Sequence, residues 1–390
     1  MAAPFARART IAPGASDALL GGQSATSFLR RHWQKDALVV RRAIAGFTGL
    51  YSASELFAFA RRDDVESRLV VRDGARWTLA HGPFRAADVK SLPPRNWTLL
   101  VQGVNLVSPA GDALLRRFAF LPFARLDDLM VSHAAPGGGV GPHVDSYDVF
   151  LLQGFGRRRW RFGRQDDLSV KPRLPLRILR RFDPQHIAVL SPGDMLYLPP
   201  QFAHDGVAVD ACTTYSIGFR AASATELAAA FLDFLRDELA LPGRYADPDL
   251  APTRAPAEIG RAMQRRCERL LQGVAWDRRT IPRFLGCWLS EPKPNVVFDP
   301  PDPPMSRAAF RARAARRGLC LDLRTQLLYD GSHLYVNGIA LPWPASGAPS
   351  LRQLANARTL APSAAAATDP ESAAILYTWY RDGYLHADPA

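Results

Sequence analysis

Apolar and polar residues alternate along the middle of the chain, between residues 128 and 219. A period of two predicts half-buried β-strands, and glycine and proline residues end each run after a few positions. Many short strands punctuated in this way are typical of a double-sheet jelly roll. The predicted strands of this barrel cover residues 129–133, 143–153, 157–162, 187–190, 194–198 and 213–219.

The segment before the barrel contains stretches with the strand period of two and stretches with the helical period of 3.6. We predict a capped amphipathic helix over residues 24–33 and further helices over 53–60 and 113–118. The predicted extended segments between them are residues 37–40, 67–71, 76–79 and 97–103.

After the barrel the apolar spacing changes to that of a helix. Ser223 to Glu226 form a capping box, and the apolar residues that follow predict an amphipathic helix, with a second helix over 257–273. A proline-rich segment, residues 292–304, predicts a stiff extended linker. The rest predicts helices over 307–317, 351–356 and 371–380 and a hairpin over 327–338 with its turn at Asp330-Gly331.

These patterns divide the 390 residues, too many for one ordinary core, into three units. We predict a mainly β domain with an N-terminal extension at 1–222, a helical region at 223–291 and a winged-helix-like α+β module at 305–390. The helical region is too small to form its own core, so we expect it to pair two copies of the chain in a homodimer. Packing on the rest of its own chain is the alternative.

Composition narrows the class of protein. Hydrophobic content of 47% and charged content of 22% are those of a soluble globular protein. No apolar run approaches the roughly 18 residues that span a bilayer, so we do not expect a membrane protein. Four cysteines without a Cys-x-x-Cys pair favour the reducing cytoplasm.

The net charge of +12 is unevenly distributed. Residues 155–181 hold ten Lys or Arg and two Asp, whereas the last ninety residues hold nine Arg and seven acids. A basic field of this kind attracts small dianions and phosphate backbones, although solvated surface is the alternative. The near-neutral C-terminal module is not that of a typical DNA-binding domain, and a protein-docking role is favoured there.

A metal site is predicted where the barrel begins. His143 and Asp145, two apart on a predicted strand, point to the same side, and His204 follows an apolar strand closed by Pro199-Pro200. Two histidines and one carboxylate on one face of a metal are the ligand set of non-haem Fe(II) oxygenases. The alternative is that His143 caps the glycine-rich turn and His204 is a polar loop residue.

The alternation over residues 157–162 also indicates which arginine points inward. Trp160 and Phe162 must face the core, and Arg158 shares their face. A buried guanidinium needs an anion, which is either a distant aspartate or a bound ligand. With a hydroxyl from Ser132, Arg158 is suited to the far carboxylate of a dicarboxylate such as 2-oxoglutarate, whose keto acid end would chelate the metal.

Four motifs around these residues resemble the bacterial ribosomal oxygenases, JmjC-type enzymes with a cupin-like barrel that depend on 2-oxoglutarate. The motifs are PGGGVGPHVDSYDVF (136–150), QGFGRRRW (153–160), PGDMLYLPPQFAH (192–204) and YSIGFR (215–220). The resemblance covers the catalytic third of the chain strongly. The order of barrel, helical dimerisation region and winged helix is also similar.

The resemblance implies that His143, Asp145 and His204 hold Fe(II), that Arg158 and Ser132 hold 2-oxoglutarate, and that O2 is the oxidant. It further implies that an arginine of a large-subunit ribosomal protein is hydroxylated, while related eukaryotic enzymes hydroxylate histidine.

Two further residues are predicted to contact the substrate. Tyr147 could stack on an arginine side chain, or could belong to the core. Ser216, in the YSIGFR motif, is the second. Since the basic stretch from 157 to 181 would repel an isolated basic peptide, we expect ribosomal RNA or an acidic surface to accompany the substrate.

Three other functions fit parts of this pattern. They are a small-molecule 2-oxoglutarate oxygenase, a catalytically inactive cupin that binds RNA or ribosomes, and a zinc cupin. Zinc is the weakest of them, because a zinc site does not need Arg158.

Overall fold

A computed structural model describes residues 19–387, so the ends of the first and third predicted units lie outside the described residues. Two antiparallel sheets form the N-terminal half. The larger sheet consists, in spatial order, of β1 (Leu38–Val40), β10 (Met195–Leu198), β7 (Val149–Gln153), β12 (Cys212–Phe219), β5 (Leu126–Ala134), β4 (Trp97–Val101), β2 (Ser67–Asp73) and β3 (Arg76–His81). The smaller sheet consists of β6 (His143–Val144), β11 (Phe202–Ala208), β8 (Arg158–Arg164) and β9 (His186–Leu190).

The two sheets pack face to face, and strand alternation explains why. On β7, Val149 and Leu151 pack against residues of the smaller sheet such as Trp160, whereas Phe150 and Leu152 pack on the opposite side. The opposite side is covered by helices α1 (Ala25–Arg31), α2 (Ala53–Phe59), α3 (Ala86–Lys90) and α4 (Pro109–Arg116). The predicted jelly roll is confirmed.

One predicted strand is wrong. Residues 143–153 form two strands, β6 and β7, that lie in different sheets. The chain crosses between the sheets at Asp148, whose buried carboxylate accepts hydrogen bonds from the Tyr197 hydroxyl (2.6 Å) and the Gln34 amide (3.0 Å). Asp145 and Tyr147 lie in this crossing. Asp145 is therefore not on the strand of His143, and the premise that His143 and Asp145 share one strand is also wrong.

A strand that the periodicity did not predict carries His204. The chain turns at Pro199-Pro200 and then forms β11, in which His204 is buried. The alternative of a polar loop residue is therefore wrong. The prediction failed because His204, Asp205 and Gly206 are polar or small residues of the kind that usually form loops. In the structure they pair with residues of β8.

Three helices follow the barrel. They are α5 (Ala224–Glu238), capped by Ser223 and Glu226 as predicted, α6 (Arg261–Leu271) and α7 (Thr280–Ser290). Gly286 of α7 lies against Tyr335, where a Cβ would be 2.2 Å from the ring, so only glycine permits this approach. Within residues 19–387, every helix is too short or too polar to cross a lipid bilayer.

The C-terminal module has its own core around Phe310, Leu354 and Trp379. Its elements are α8 (Arg307–Arg317), β13 (Leu319–Leu321), β14 (Leu327–Tyr329), β15 (His333–Val336), β16 (Ile339–Pro342), α9 (Pro349–Ala357), β17 (Thr359–Leu360), α10 (Pro362–Ala366), α11 (Pro370–Arg381) and β18 (Leu385–His386). The predicted helices and the β14–β15 hairpin are present. The division of the chain near residues 222 and 305 stays a prediction.

The proline-rich segment is not a free-standing spacer. The Asn295 amide donates to the backbone carbonyl of Asp64 (3.1 Å), and the Arg324 guanidinium donates to that of Val297 (2.5 Å). The segment therefore lies against the barrel on one side and the C-terminal module on the other.

Candidate active site

His143, Asp145 and His204 converge at one end of the smaller sheet. His143 on β6 stands directly opposite His204 on β11, and their ring centroids are 4.2 Å apart. The Asp145 carboxylate lies 3.9 Å from Nε2 of His143 and 3.6 Å from Nε2 of His204. One ligand atom from each residue falls within 4.8 Å of the others, which suits a single metal ion.

Backbone hydrogen bonds orient both imidazoles. Nδ1 of His143 lies 2.9 Å from the carbonyl of Gly141, and Nδ1 of His204 lies 3.0 Å from that of Phe202. A carbonyl can only accept, so each Nδ1 carries the proton and each Nε2 presents its lone pair to the cluster. Burial and the neighbouring His143 lower the pKa of His204 to about 4, which keeps it neutral. The donor set therefore fits a divalent metal.

A cavity of about 320 Å³ opens between the two sheets beside this cluster. Arg158 lies in its wall, buried, with its guanidinium over the Trp160 ring at 5.7 Å. Its Nη2 reaches the Ser132 hydroxyl at 3.5 Å, and its Nε has no hydrogen-bond partner among the described residues. The inward direction predicted for Arg158 is thus observed, and residues 19–387 place no carboxylate within 4.0 Å of it.

Thr98 was not indicated by the sequence. Like Arg158, it is a buried residue of the cavity wall with a polar atom that has no hydrogen-bond partner among the described residues. Thr98 on β4 lines the cavity, is fully buried, and its hydroxyl has no partner within the described chain. It lies on the same sheet face as Ser132, one strand away. Nε1 of Trp160, in the same wall, also has no partner within the described chain. Buried polar groups without partners are rare, and three in one cavity wall indicate a polar ligand.

The cavity wall also contains the two predicted substrate contacts. Tyr147 is partly exposed, and Ser216 on β12 is buried opposite Met130 of β5. Asp128 lies in the same wall, and its Oδ2 accepts from the Gln102 amide at 2.7 Å and from Lys293 at 2.9 Å. Sequence reasoning missed Asp128 and Lys293, which are 165 residues apart.

The basic stretch does not line this cavity apart from Arg158. Arg157 pairs with Asp210 and Arg161 pairs with Asp205, both on the outer side of β8. The cavity wall carries the carboxylates of Glu66, Asp128 and Asp145 as well as the cationic groups of Arg68, Arg158 and Lys293. Opposite charges are therefore balanced in the wall, whereas the sequence count suggested a basic surface beside the site.

Comparison with known proteins adds an independent result. A JmjC domain model matches residues 113–227, and a ROXA-like winged-helix model matches residues 273–386. Ribosomal protein uL16 3-hydroxylase of Escherichia coli (strain K12) is 36% identical over 364 residues, which cover 92% of this chain and 96% of the relative. The chain belongs to the JmjC-type ribosomal oxygenases.

Other relatives of this oxygenase agree. A probable ribosomal oxygenase of Haemophilus influenzae is 41% identical over 197 residues, or 50% of this chain and 48% of the relative. An X-ray structure of E. coli YcfD superposes with a TM-score of 0.80 at 34% identity, covering 93% of this chain and 98% of that one. A second YcfD structure, with cobalt and 2-oxoglutarate, superposes with a TM-score of 0.78 at 34% identity over the same shares. This oxygenase is a 2-oxoglutarate-dependent dioxygenase with a JmjC barrel and a winged-helix domain.

Proposed function

We propose that this protein hydroxylates an arginine side chain of a large-subunit ribosomal protein. The relative that matches 92% of the chain is named for hydroxylation of the ribosomal protein uL16. The single observation that supports the reaction is the cavity that joins the His143, Asp145 and His204 cluster to a buried arginine without an anion.

We assign the metal to His143, Asp145 and His204 and the far carboxylate of 2-oxoglutarate to Arg158 and Ser132. The unpartnered Nε of Arg158 is a donor of the kind that a carboxylate requires. When bound, Fe(II), 2-oxoglutarate and O2 supply the oxidation that hydroxylates an unactivated carbon.

The protein's own residues orient the metal-binding imidazoles and shield the space between the sheets from water. The backbone bonds to both Nδ1 atoms hold the imidazoles in one tautomer, so no rearrangement precedes metal binding. The apolar wall formed by Leu151, Val149 and Trp160 keeps water from the space between the sheets.

Arginine as target is supported by the opposite wall of the cavity. Both hydrogen bonds to Asp128 use Oδ2, and Oδ1 has no partner among residues 19–387. Oδ1 and the Tyr147 ring each lie 3.9 Å from where a Cβ of Gly218 would stand, so they flank one empty space. A carboxylate oxygen beside an aromatic ring is suited to a guanidinium.

The test incubates the purified protein with Fe(II), 2-oxoglutarate and recombinant uL16 and follows succinate release and the addition of one oxygen by mass spectrometry. We expect oxygen on an arginine of uL16. Asp145→Ala should abolish turnover and metal binding, whereas Asp166→Ala, on the exposed 165–185 loop, should leave both intact.

Other outcomes identify the alternatives. Succinate release with a metabolite but not with uL16 would indicate a small-molecule oxygenase. Ribosome association without any 2-oxoglutarate turnover would indicate an inactive binding protein. Modification of a histidine instead of an arginine would contradict our interpretation of Asp128 and Tyr147.

We further propose that the enzyme works as a homodimer in the cytoplasm, where ribosomal proteins are made. Large apolar side chains are exposed on the helical region, including Leu232, Ile259 and Leu271. For ribosomal RNA, the supporting feature is a groove between the β2–β3 hairpin and the 165–185 loop, lined by Arg72, Lys171 and Trp77. The Trp77 ring is half-buried, with the Arg72 guanidinium 5.4 Å from its centroid. Basic side chains beside a partly accessible aromatic ring suit a nucleic-acid strand.

A further inference from the structure

Lys293 enters the active-site cavity from outside the barrel. It belongs to the proline-rich segment, and its Nζ lies 2.9 Å from Oδ2 of Asp128 and 3.3 Å from Oδ1 of Asp127. Gln102 on the other side donates to the same Oδ2 at 2.7 Å. The Asp128 carboxylate is therefore held by two donors through one of its oxygens.

The position of Lys293 is fixed from both ends. Before it, α7 is tied to the barrel because the Arg220 guanidinium donates to the Leu289 carbonyl at 2.7 Å. After it, the Asn295 amide donates to the carbonyl of Asp64 at 3.1 Å. These two contacts hold the chain on either side of Lys293 against the barrel, so that the Lys293 side chain lies in the cavity wall.

The remaining oxygen of Asp128 faces the space beside Gly218 and Tyr147 and has no partner among the described residues. Because Lys293 and Gln102 use Oδ2 alone, they fix the plane of the carboxylate without using the oxygen that a substrate would contact. A carboxylate whose rotation is stopped in this way loses less entropy when it binds a planar guanidinium.

The charge of Lys293 is also suited to this role. Burial alone would lower the pKa of Lys293, but the carboxylates of Asp128 and Asp127 outweigh it and raise the pKa, so the ammonium stays protonated. Without it, Asp127 would be left with Arg220, whose Nε lies 3.7 Å from its carboxylate, and Asp128 would be left with Gln102. The repulsion between the two adjacent carboxylates would then favour other rotamers of Asp128.

We propose that Lys293 is a positioning residue for substrate recognition, which orients Asp128 toward the target side chain and makes the C-terminal half of the chain necessary for substrate binding. This inference rests on the proposed function of Asp128 as the acceptor of the substrate guanidinium. It assigns to the segment between the helices and the winged helix an indirect part in substrate binding, exerted through the orientation of Asp128.

The test compares Lys293→Met with Lys293→Arg in the full-length enzyme and uses recombinant uL16 as substrate. We expect Lys293→Met to raise KM for uL16 about tenfold, the factor of one hydrogen bond to a charged group, with kcat and KM for 2-oxoglutarate unchanged. Lys293→Arg, which keeps the charge and the donors, should restore KM to within about twofold. Lys90→Met, an exposed lysine on α3, is the matched control.

Other results would overturn the proposal. An unchanged KM in Lys293→Met would show that Asp128 does not need this partner, and a lower KM would show that Lys293 competes with the substrate instead of supporting it. A fall in kcat together with a lower melting temperature of Lys293→Met would indicate a merely structural role. Failure of Lys293→Arg to restore KM at a wild-type melting temperature would show that the charge at position 293 does not orient Asp128. If the wild type itself leaves every arginine of uL16 unmodified, the proposed function fails and this inference fails with it.

Discussion

Arg158 and Arg159 are neighbours in the chain with opposite environments. Strand β8 turns Arg158 into the cavity and Arg159 out to solvent, and the two residues are otherwise the same chemical group. The two residues therefore differ only in the direction of their side chains, so substitutions at these two positions test the proposed co-substrate pocket.

We expect Arg158→Met to raise KM for 2-oxoglutarate by at least about tenfold, since it removes a charge-assisted hydrogen-bond donor from the carboxylate. Metal binding, followed by calorimetry with Mn²⁺, should be unaffected. Arg159→Met is the control and should behave as wild type. Equal co-substrate affinity in the two variants would contradict the assignment of the pocket.

Substitutions at Gly218 test the wall of the cavity that contains Asp128 and Tyr147. A Cβ there would meet Asp128 and Tyr147 only in ordinary contact, so Gly218→Ala should be nearly neutral. Gly218→Leu would fill the space between them and displace the target carbon, and we expect kcat/KM for uL16 to fall about a hundredfold. Substrate-independent succinate release should persist at the wild-type rate in both variants. Its loss in Gly218→Leu would mean that the leucine disturbs the co-substrate as well.

At the scale of elements, the crossing from β6 to β7 determines where two of the proposed metal ligands, His143 and Asp145, lie. Asp148 fixes this crossing through Tyr197 and Gln34, and Arg125 lies 3.6 Å from its carboxylate. The crossing separates a short strand that carries His143 from a longer strand that belongs to the core.

Asp148→Ala should lower the free energy of unfolding of the barrel by about 3 kcal/mol, because it leaves buried partners without an acceptor. Chemical denaturation followed by tryptophan fluorescence measures this change. Asp166→Ala, on an exposed loop, should shift the midpoint little. Similar midpoints for the two variants would show that the crossing is held by packing and not by Asp148.

Local pattern predicted the elements whose residues repeat with a regular period. The inward direction of Arg158 followed from two aromatic neighbours on one strand, and the helix starts followed from Ser24 and Ser223. The sequence could not give the break at Asp148 or the strand around His204, because both depend on partners far along the chain. Thr98, Asp128 and Lys293 were missed for the same reason, since their importance lies in what folding places beside them.

At the scale of the whole molecule, the helical region leaves apolar side chains uncovered. Leu232 and Leu271 are each 64% exposed, which a single copy of the chain does not explain. The predicted dimer would cover them.

We expect sedimentation velocity to show a dimer, and the double variant Leu232→Asp, Leu271→Asp to sediment as a monomer. The charged side chains would have to be desolvated at an apolar interface, which disfavours association. Ile339→Asp, at an exposed position of β16, is the control. A double variant that remains dimeric would place the interface elsewhere.

The hydrogen bonds from both Nδ1 atoms to nearby carbonyls have a practical consequence. Each imidazole takes its orientation from a carbonyl two residues before it, so the ligand geometry is set by the chain and not by the ion. Stripping the enzyme with a chelator should therefore leave the barrel folded, with the melting temperature lowered only by the binding free energy of the ion. Adding metal back should restore activity within the mixing time. An apoenzyme that had to refold before recovery would show that the ion, and not these two carbonyls, shapes the site.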